Sequence, residues 1–113
     1  MPIEILELDG DLTKVVLSGR IDIAGAHEID LPMSVVGGSR RWVIVDLAAV
    51  EFMASLGLRS LVLAAKAVAR RHGRMVLLSP NAMVEEVIRV TGVDELIPIF
   101  HEEHLAAAAV KPA

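Results

Sequence analysis

Few side chains in this sequence could bind a metal ion or act as a nucleophile. His101 and His104 could face one ion, but two imidazoles without a third ligand rarely make a specific site, so we interpret both as solvated surface residues. The sequence contains no cysteine, which excludes disulfides, thiolate nucleophiles and zinc–thiolate sites. No carboxylate pair has a context that would give two distinct pKa values. We therefore predict no metal site, no catalytic residues and no enzyme activity.

Phosphate recognition would need a glycine-rich loop or a basic patch. Residues 37–38 are a Gly-Gly pair without the Lys-Ser/Thr ending of a phosphate loop, and no GxGxxG motif occurs. Two basic clusters are present, and their members are Arg40 and Arg41 in the first and Arg70, Arg71, His72 and Arg74 in the second. We interpret them as cations favoured at helix C-termini; the alternative is a surface for an acidic partner or a nucleotide phosphate. No cofactor is predicted.

The segment of residues 51–58 carries the remaining chemical signal. The apolar pair Phe52 and Met53 leads through Ala54 into Ser55. Serine is a preferred N-cap, because its hydroxyl accepts from free backbone N–H groups in the first helical turn. From residue chemistry alone, a capped helix anchored by the apolar pair is the favoured interpretation.

Composition limits the class of protein. The chain has 113 residues, 54% of them hydrophobic, which fits a single domain over residues 1–113 and excludes disorder as its main state. The net charge of −4 argues against direct binding of nucleic acid. The longest charge-free stretch, residues 75–84, is far shorter than the roughly 20 residues of a membrane-spanning helix. Residues 4–11 carry acidic side chains, the wrong sign for a signal peptide, so we expect a cytoplasmic protein without membrane insertion.

The predicted strands begin with a hairpin. Residues 3–8 and 15–19 are β-rich runs that flank Asp-Gly-Asp at residues 9–11, a turn signal. Residues 42–47 form an apolar run that predicts a central strand buried on both faces, and residues 48–53 are predicted to be a loop. Two later strands are predicted, over residues 75–79 and 96–100, the last at an edge because of its proline.

The predicted helices alternate with these strands. The first begins after Asp22 and buries a stripe of Ala26, Ile29, Met33 and Val36. Pro32 should kink or break it near Leu31, and the glycines at residues 37–38 should end it. A second helix, capped by Ser55, should run over residues 56–72 and stop at Gly73. A third should start at Ser79-Pro80 and end at Gly92, and a fourth should cover residues 101–110.

This order predicts an α/β fold. Helices that alternate with strands require crossover connections and a partly parallel sheet. We expect a mixed sheet of four to five strands with an amino-terminal hairpin, packed against about four helices.

The same segments, in order, resemble STAS-domain anti-sigma factor antagonists. The family signature usually reads Phe-Met-Asp-Ser-Ser/Thr-Gly-Leu, and residues 52–58 here read Phe-Met-Ala-Ser-Leu-Gly-Leu. Further similarity covers residues 17–22 (Leu-Ser/Thr-Gly-Glu-Leu-Asp in the family), 43–47 (the central strand), 73–78 (the Gly-Gly-X-Leu strand), Ser79-Pro80 and 84–96. The resemblance extends over nearly the whole chain.

The resemblance implies a STAS fold and a regulator. Family members bind an anti-sigma factor that is also a serine kinase of the GHKL ATPase type, and binding releases a sigma factor. Phosphorylation of the signature serine, which falls on Ser55, abolishes binding, and a serine phosphatase restores it. The family's Asp near the end of the second strand falls on Asp22. The residues expected to contact the partner are Asp22, Met53, Ala54, Ser55, Leu56, Gly57 and Arg59.

Several positions depart from the family pattern. Ala54 replaces the acidic residue of the signature, Leu56 replaces its second hydroxyl, and Arg20 replaces a common Glu. These changes bear on phosphorylation more than on binding. Two alternatives therefore stay open: a STAS protein that binds its partner without being phosphorylated, and a small accessory subunit of a transport or lipid-trafficking complex. The sequence predicts neither a particular sigma factor nor an oligomeric state.

Overall fold

The computed structural model describes residues 2–111, which form a five-stranded sheet with its strands in chain order. The strands are β1 (Ile3–Leu8), β2 (Leu12–Ile21), β3 (Trp42–Met53), β4 (Arg74–Leu78) and β5 (Ile99–Phe100). β1 and β2 pair antiparallel around a short 3₁₀ turn, and β2 to β5 pair parallel. The predicted mixed sheet with an amino-terminal hairpin is confirmed, as is the edge position of the last strand.

Helices cover the two faces of the sheet unequally. They are α1 (Ile23–Ser39), α2 (Ser55–Arg70), α3 (Ala82–Val90), α4 (Val93–Leu96) and α5 (Glu103–Val110). The larger core lies under α1, α2 and α3, and a smaller core lies under α5. In β3, Val43 and Val45 belong to the first core and Ile44 to the second, so this strand is central and buried on both faces as predicted. Within residues 2–111, no helix combines the length and apolar character that crossing a membrane requires.

Helix α5 is held to its face of the sheet by an ion-paired lysine. Lys14 Nζ lies 2.7 Å from Glu103 Oε1 and 3.5 Å from Asp46 Oδ2. The hydrogen bond to Glu103 is the main reason that the pKa of Lys14 is raised, against an opposing effect of burial. The long-range pair therefore joins the carboxyl-terminal helix to the middle of β2.

Helix α1 is continuous through Pro32, so of the kink or break predicted near Leu31 the break is wrong. The predicted apolar stripe is nevertheless buried, and it consists of Ala26, Ile29, Met33 and Val36. A proline inside a helix costs about 3 kcal/mol, whereas full burial of one Ile or Met contributes about 1.5–3 kcal/mol. Burial of this stripe outweighs the local cost, which explains why the helix continues.

The glycines near the end of α1 do not stop it, because the helix extends to Ser39. Gly37 serves packing instead. A Cβ atom at this position would lie 3.0 Å from Ala64 Cα and 3.2 Å from Ala67 Cβ on α2. Glycine therefore permits the close approach of α1 and α2, a tertiary requirement that the local sequence pattern does not reveal.

The segment predicted as a loop over residues 48–53 is strand, so β3 is twice the predicted length. It pairs with the far part of β2, where Arg20 lies opposite Phe52 and Ile21 opposite Met53. The register shifts near Gly19, which has a φ of 78°. This β-bulge explains the error: the irregular pairing interrupts the alternation of buried and exposed residues that identifies a strand. The extension carries β3 directly to the start of α2.

The turn after α2 also differs from the prediction. His72, rather than Gly73, adopts a positive φ of 66°. The N–H of His72 donates to Ala69 O and that of Gly73 to Val68 O, at 3.0 and 2.9 Å, which is the pattern of a Schellman motif. Gly73 is required for close approach, because a Cβ there would overlap the carbonyl oxygen of Arg41.

Helix α3 does not begin at residues 79–80 as predicted. Its N-cap is Asn81, whose Oδ1 accepts from Val84 N at 2.8 Å. The side-chain amide of Asn81 also donates to Val50 O at 3.1 Å, which ties this connection to the carboxyl end of β3. Gly92 follows the helix with a positive φ of 77°, in agreement with the predicted end. The single turn α4 was not predicted.

Candidate functional site

Ser55 is the first residue of α2 and is exposed. The prediction that Ser55 caps the helix is wrong by one residue, because the N-cap is Ala54, which makes no side-chain cap hydrogen bond. Ala54 N donates to Ile21 O at 2.8 Å, and Ala54 O accepts from Gly57 N at 2.9 Å. The strand thus turns into the helix without a linker, and the serine lies at an accessible tip.

The floor beneath Ser55 is tightly packed. Gly57 is buried, and a Cβ atom there would lie 2.6 Å from Met53 Sδ and 2.8 Å from Ile21 Cγ2. Met53 and Ile21 are themselves buried. Of the predicted partner-binding residues, Met53 and Gly57 therefore lie below the surface and fix the backbone under Ser55.

Asp22 lies where β2 ends and α1 begins. It is the N-cap of α1, and its Oδ1 accepts from Gly25 N at 2.9 Å. The preceding residue, Ile21, accepts the hydrogen bond from Ala54 N. Both helix N-termini, those of α1 and α2, are therefore anchored at the same end of the sheet. Each contributes a partial positive charge to that end.

Two arginines lie beside these helix starts. The guanidinium of Arg20 stacks over the ring of Phe52, 4.7 Å from its centroid, in a cation–π contact that the sequence did not predict. Arg59 is exposed on α2, four positions after Ser55. Helical side chains lean toward the amino terminus and cover the preceding turn, so Arg59 can reach the space over Ser55. The first turn of α2 contains no acidic residue.

A groove between α1 and α2 adjoins this end. It has a volume of about 260 Å³ and is lined by Ala26, His27, Asp30, Leu56, Arg59, Ser60 and Leu63. Leu56 is 39% exposed and Leu63 is 51% exposed. On the groove floor, the buried Ser60 hydroxyl donates to Asp30 Oδ1 at 3.0 Å. The substitution of a hydroxyl by Leu56 therefore adds apolar surface next to Ser55.

The two histidines considered for metal binding have other neighbours. His101 Nε2 lies 2.7 Å from Glu85 Oε1, and Arg89 pairs with the other oxygen of Glu85 at 2.7 Å. The hydrogen bond from Arg89 and then that from His101 lower the pKa of Glu85, against the effect of burial. His104 lies near Glu102. Across residues 2–111, no group of three or more His, Cys, Asp or Glu side chains could hold a metal ion.

The chain belongs to the STAS domain family, whose profile matches residues 3–106. The resemblance derived from the sequence motifs is thereby confirmed. The chain is 32% identical over 115 residues to the Bordetella bronchiseptica protein named "Putative anti-sigma factor antagonist BtrV", with 100% of this chain and 97% of that protein aligned.

Solved structures agree on the fold. A crystal structure of an anti-sigma factor antagonist from Mycobacterium paratuberculosis has a TM-score of 0.86 at 25% identity, over 97% of this chain and 93% of that chain. The anti-sigma factor antagonist SpoIIAA in its unphosphorylated form gives a TM-score of 0.77 at 20% identity, over 91% of each chain. The Bacillus cell fate determinant SpoIIAA in its phosphorylated form gives a TM-score of 0.71 at 19% identity, over 91% of this chain and 95% of that chain. These likenesses confirm the predicted STAS fold.

Proposed function

We propose that this protein is an anti-sigma factor antagonist that binds an anti-sigma factor serine kinase of the GHKL type and so releases a sigma factor for transcription. The observation that carries the proposal is the exposed Ser55 at the first residue of α2, on a packed floor of Met53 and Gly57. The names of the aligned Bordetella and Mycobacterium proteins support the same role. On this proposal the protein is not an enzyme and acts in the cytoplasm.

Phosphorylation of Ser55 switches the binding off. The kinase transfers the γ-phosphoryl group of ATP to Ser55 Oγ, and ADP leaves; a serine phosphatase hydrolyses the ester. The phosphate adds about −1.5 to −2 charges at pH 7. It lies at a helix N-terminus, where free N–H groups and the helix dipole favour an anion. The fold therefore persists, and the partner is repelled by charge and bulk.

The replacement of the signature acid by Ala54 is compatible with this switch. An aspartate at an N-cap accepts from the N–H groups of the first turn, whereas Ala54 leaves them without a side-chain partner. Gly57 N donates to Ala54 O, so the N–H groups of Ser55 and Leu56 are then available to a phosphate on Ser55. Arg59, one turn along α2, adds a cation that can pair with the same phosphate. The departure from the family pattern thus favours the phosphorylated state once it has formed.

The decisive experiment incubates the protein with the anti-sigma factor kinase of the same genome and ATP, followed by intact mass measurement. We expect one phosphate on the wild type, none on Ser55→Ala, and one on Ser34→Ala, a matched control in which an exposed serine of α1 is removed. A phosphate that persists on Ser55→Ala contradicts the site. Absence of kinase binding by pull-down of the unphosphorylated protein contradicts the antagonist role itself.

The second candidate is a STAS binding module that is never phosphorylated, such as an accessory subunit of a transport or lipid-trafficking complex. The observation that favours it is the exposed apolar surface of Leu56, at the position where the family usually has a hydroxyl, and of Leu63 further along α2. Kinase binding without phosphate transfer supports a non-phosphorylated antagonist. Absence of both kinase binding and phosphate transfer, together with co-purification of a membrane permease or transporter ATPase, supports the accessory subunit.

A further inference from the structure

Arginines from both basic clusters of the sequence lie at one end of the sheet. β3 begins at Trp42, which pairs with Arg74 at the start of β4. Arg74 N donates to Arg41 O at 2.8 Å. Helix α2 ends at the same end of the sheet with Arg70, whose side chain lines a groove between α1 and α2 together with Asp30 and Ser34. We name the side chains of Arg41, Arg70, Arg71 and Arg74 the arginine end of the sheet. All of them are exposed.

These arginines have no carboxylate counter-ion within the part of the chain that the structure describes. The ion pairs of arginine there involve Arg40 with Glu7 and Arg89 with acidic residues near it. Arg71 instead donates to the carbonyl oxygens of Arg40 at 2.8 Å and Gly37 at 3.3 Å. Its guanidinium is therefore held in place by neutral partners, and its charge stays uncompensated.

The helix dipole accounts for only part of this cluster. A cation in the last turn of a helix is stabilised by the carbonyl end, and this effect falls off within that turn. It covers Arg70 and Arg71, which lie at the end of α2. Arg41 and Arg74 lie before and at the start of strands, where no helix carbonyls favour them. Four cations without an ion pair, on a chain of net charge −4, therefore indicate a surface that meets an anion.

We propose that the arginine end binds an acidic segment of a partner protein, rich in Asp and Glu. Guanidinium groups match carboxylates in planar, paired hydrogen bonds. Nucleic acid fits less well, because a continuous phosphate backbone would have to pass Asp9 and Asp11, which border Arg41 across a cleft of about 740 Å³, whereas a short acidic segment can contact the arginines without entering this cleft. The guanidinium of Arg41 also lies over the ring of Trp42, 4.7 Å from its centroid, which covers that ring face against base stacking.

The arginine end is separate from the proposed antagonist site. Ser55 begins α2 and Arg70 ends it, so the two ends lie about 22 Å apart at 1.5 Å per residue. An acidic segment can therefore bind while the Ser55 end is occupied. This inference does not depend on the identity of the partner at Ser55.

Trp42 offers a local probe, since it is the only tryptophan and carries Arg41 on its ring. The test titrates the protein with a capped peptide of alternating Glu and Ser and follows Trp42 fluorescence. A peptide of alternating Gln and Ser is the neutral control, and single-stranded DNA of equal charge is the competing ligand. We expect a saturable change with the acidic peptide alone. Equal or tighter binding of the DNA overturns the assignment to a protein partner.

A pair of double variants tests the location at equal net charge. Arg70→Gln with Arg74→Gln removes two cations of the arginine end and leaves Arg71 with its carbonyl contacts. Arg20→Gln with Arg59→Gln removes two cations from the other end. The first pair should weaken acidic-peptide binding about tenfold through loss of charge-assisted hydrogen bonds, and the second should change it less than about twofold.

Equal weakening by the two double variants would show that net charge alone governs binding and would overturn the site. Binding to the anti-sigma factor kinase is measured as an independent property. Arg70→Gln with Arg74→Gln should bind that kinase as the wild type does. If this variant loses binding of the kinase as well as binding of the peptide, the arginine end is part of the antagonist interface and a separate acidic-segment site is refuted.

Discussion

The two ends of the parallel sheet are built in different ways. The Ser55 end uses one short segment, in which β3 turns directly into α2 over Met53 and Gly57. The arginine end is assembled from separate parts of the chain, and it depends on Gly73 to let β4 start against Arg41. A site made from one segment is visible as a motif, whereas a surface made from several segments appears only in the folded chain.

The largest effect is expected at the glycine of the arginine end. In Gly73→Ala, the new Cβ would overlap the carbonyl oxygen of Arg41 and lie 2.8 Å from Val68 Cγ1. A backbone carbonyl cannot rotate away, so β3 and β4 must separate. We expect a loss of about 3 kcal/mol or more in the free energy of unfolding, at the upper end of overpacking effects. Urea denaturation measures it, and a loss below about 1 kcal/mol would contradict the close approach.

At the Ser55 end the same substitution should cost less. In Gly57→Ala the Cβ would meet Met53 Sδ at 2.6 Å and Ile21 Cγ2 at 2.8 Å, and the flexible thioether can move. We expect a loss of about 1–3 kcal/mol in the free energy of unfolding, together with weaker kinase binding.

Gly38→Ala is the matched control for both glycine substitutions. Gly38 lies in α1, and a Cβ there would have no atom within 4 Å. Alanine is favoured over glycine in a helix by about 0.5–1 kcal/mol, so the control should be slightly stabilised. Equal destabilisation of Gly57→Ala and Gly73→Ala would remove the difference between the two ends.

The sequence predicted most of what depends on local patterns. The hairpin around residues 9–11, the buried stripe of α1 and the burial of both faces of β3 follow from turn chemistry and hydrophobic periodicity, and the structure bears them out. The start of α2 near Ser55 followed from the capping preference of serine, with an error of one residue. The family motifs supplied the STAS fold.

Tertiary packing decided the features that the sequence did not predict. Proline rules favoured a kink or a break near Leu31, but burial of the α1 stripe keeps that helix continuous. The irregular pairing at the β-bulge near Gly19 interrupts the alternation of buried and exposed residues, so the second half of β3 was not recognised as a strand. The stacking of Arg20 on Phe52 and the convergence of Arg41 with Arg74 require knowledge of strand register, which single-residue propensities do not contain.

A charge placed at Ser55 should separate binding from stability. Ser55 is exposed at a helix N-terminus, so Ser55→Glu should change the free energy of unfolding by no more than about 0.5 kcal/mol. Kinase binding should weaken about tenfold or more, as expected for an unpaired charge placed against a partner. Thermal denaturation and calorimetric titration measure the two quantities. A molten Ser55→Glu protein would show that this end is not a rigid surface.

The smallest effect concerns the phosphate itself and distinguishes Arg59 from the arginines of the other end. The second pKa of phosphoserine is about 6, and a nearby cation favours the dianion and lowers it. Protein carrying phosphoserine at position 55, made by site-specific incorporation, should therefore show a second phosphate pKa a few tenths of a unit lower than its Arg59→Gln variant. Phosphorus NMR across pH measures this value without the kinase.

Arg70→Gln is the control, because it removes an equal charge about 22 Å away, beyond the roughly 8 Å screening length at physiological salt. Equal shifts in the two variants would show that Arg59 does not reach the phosphate and that the Ser55 end holds its anion by the helix N-terminus alone.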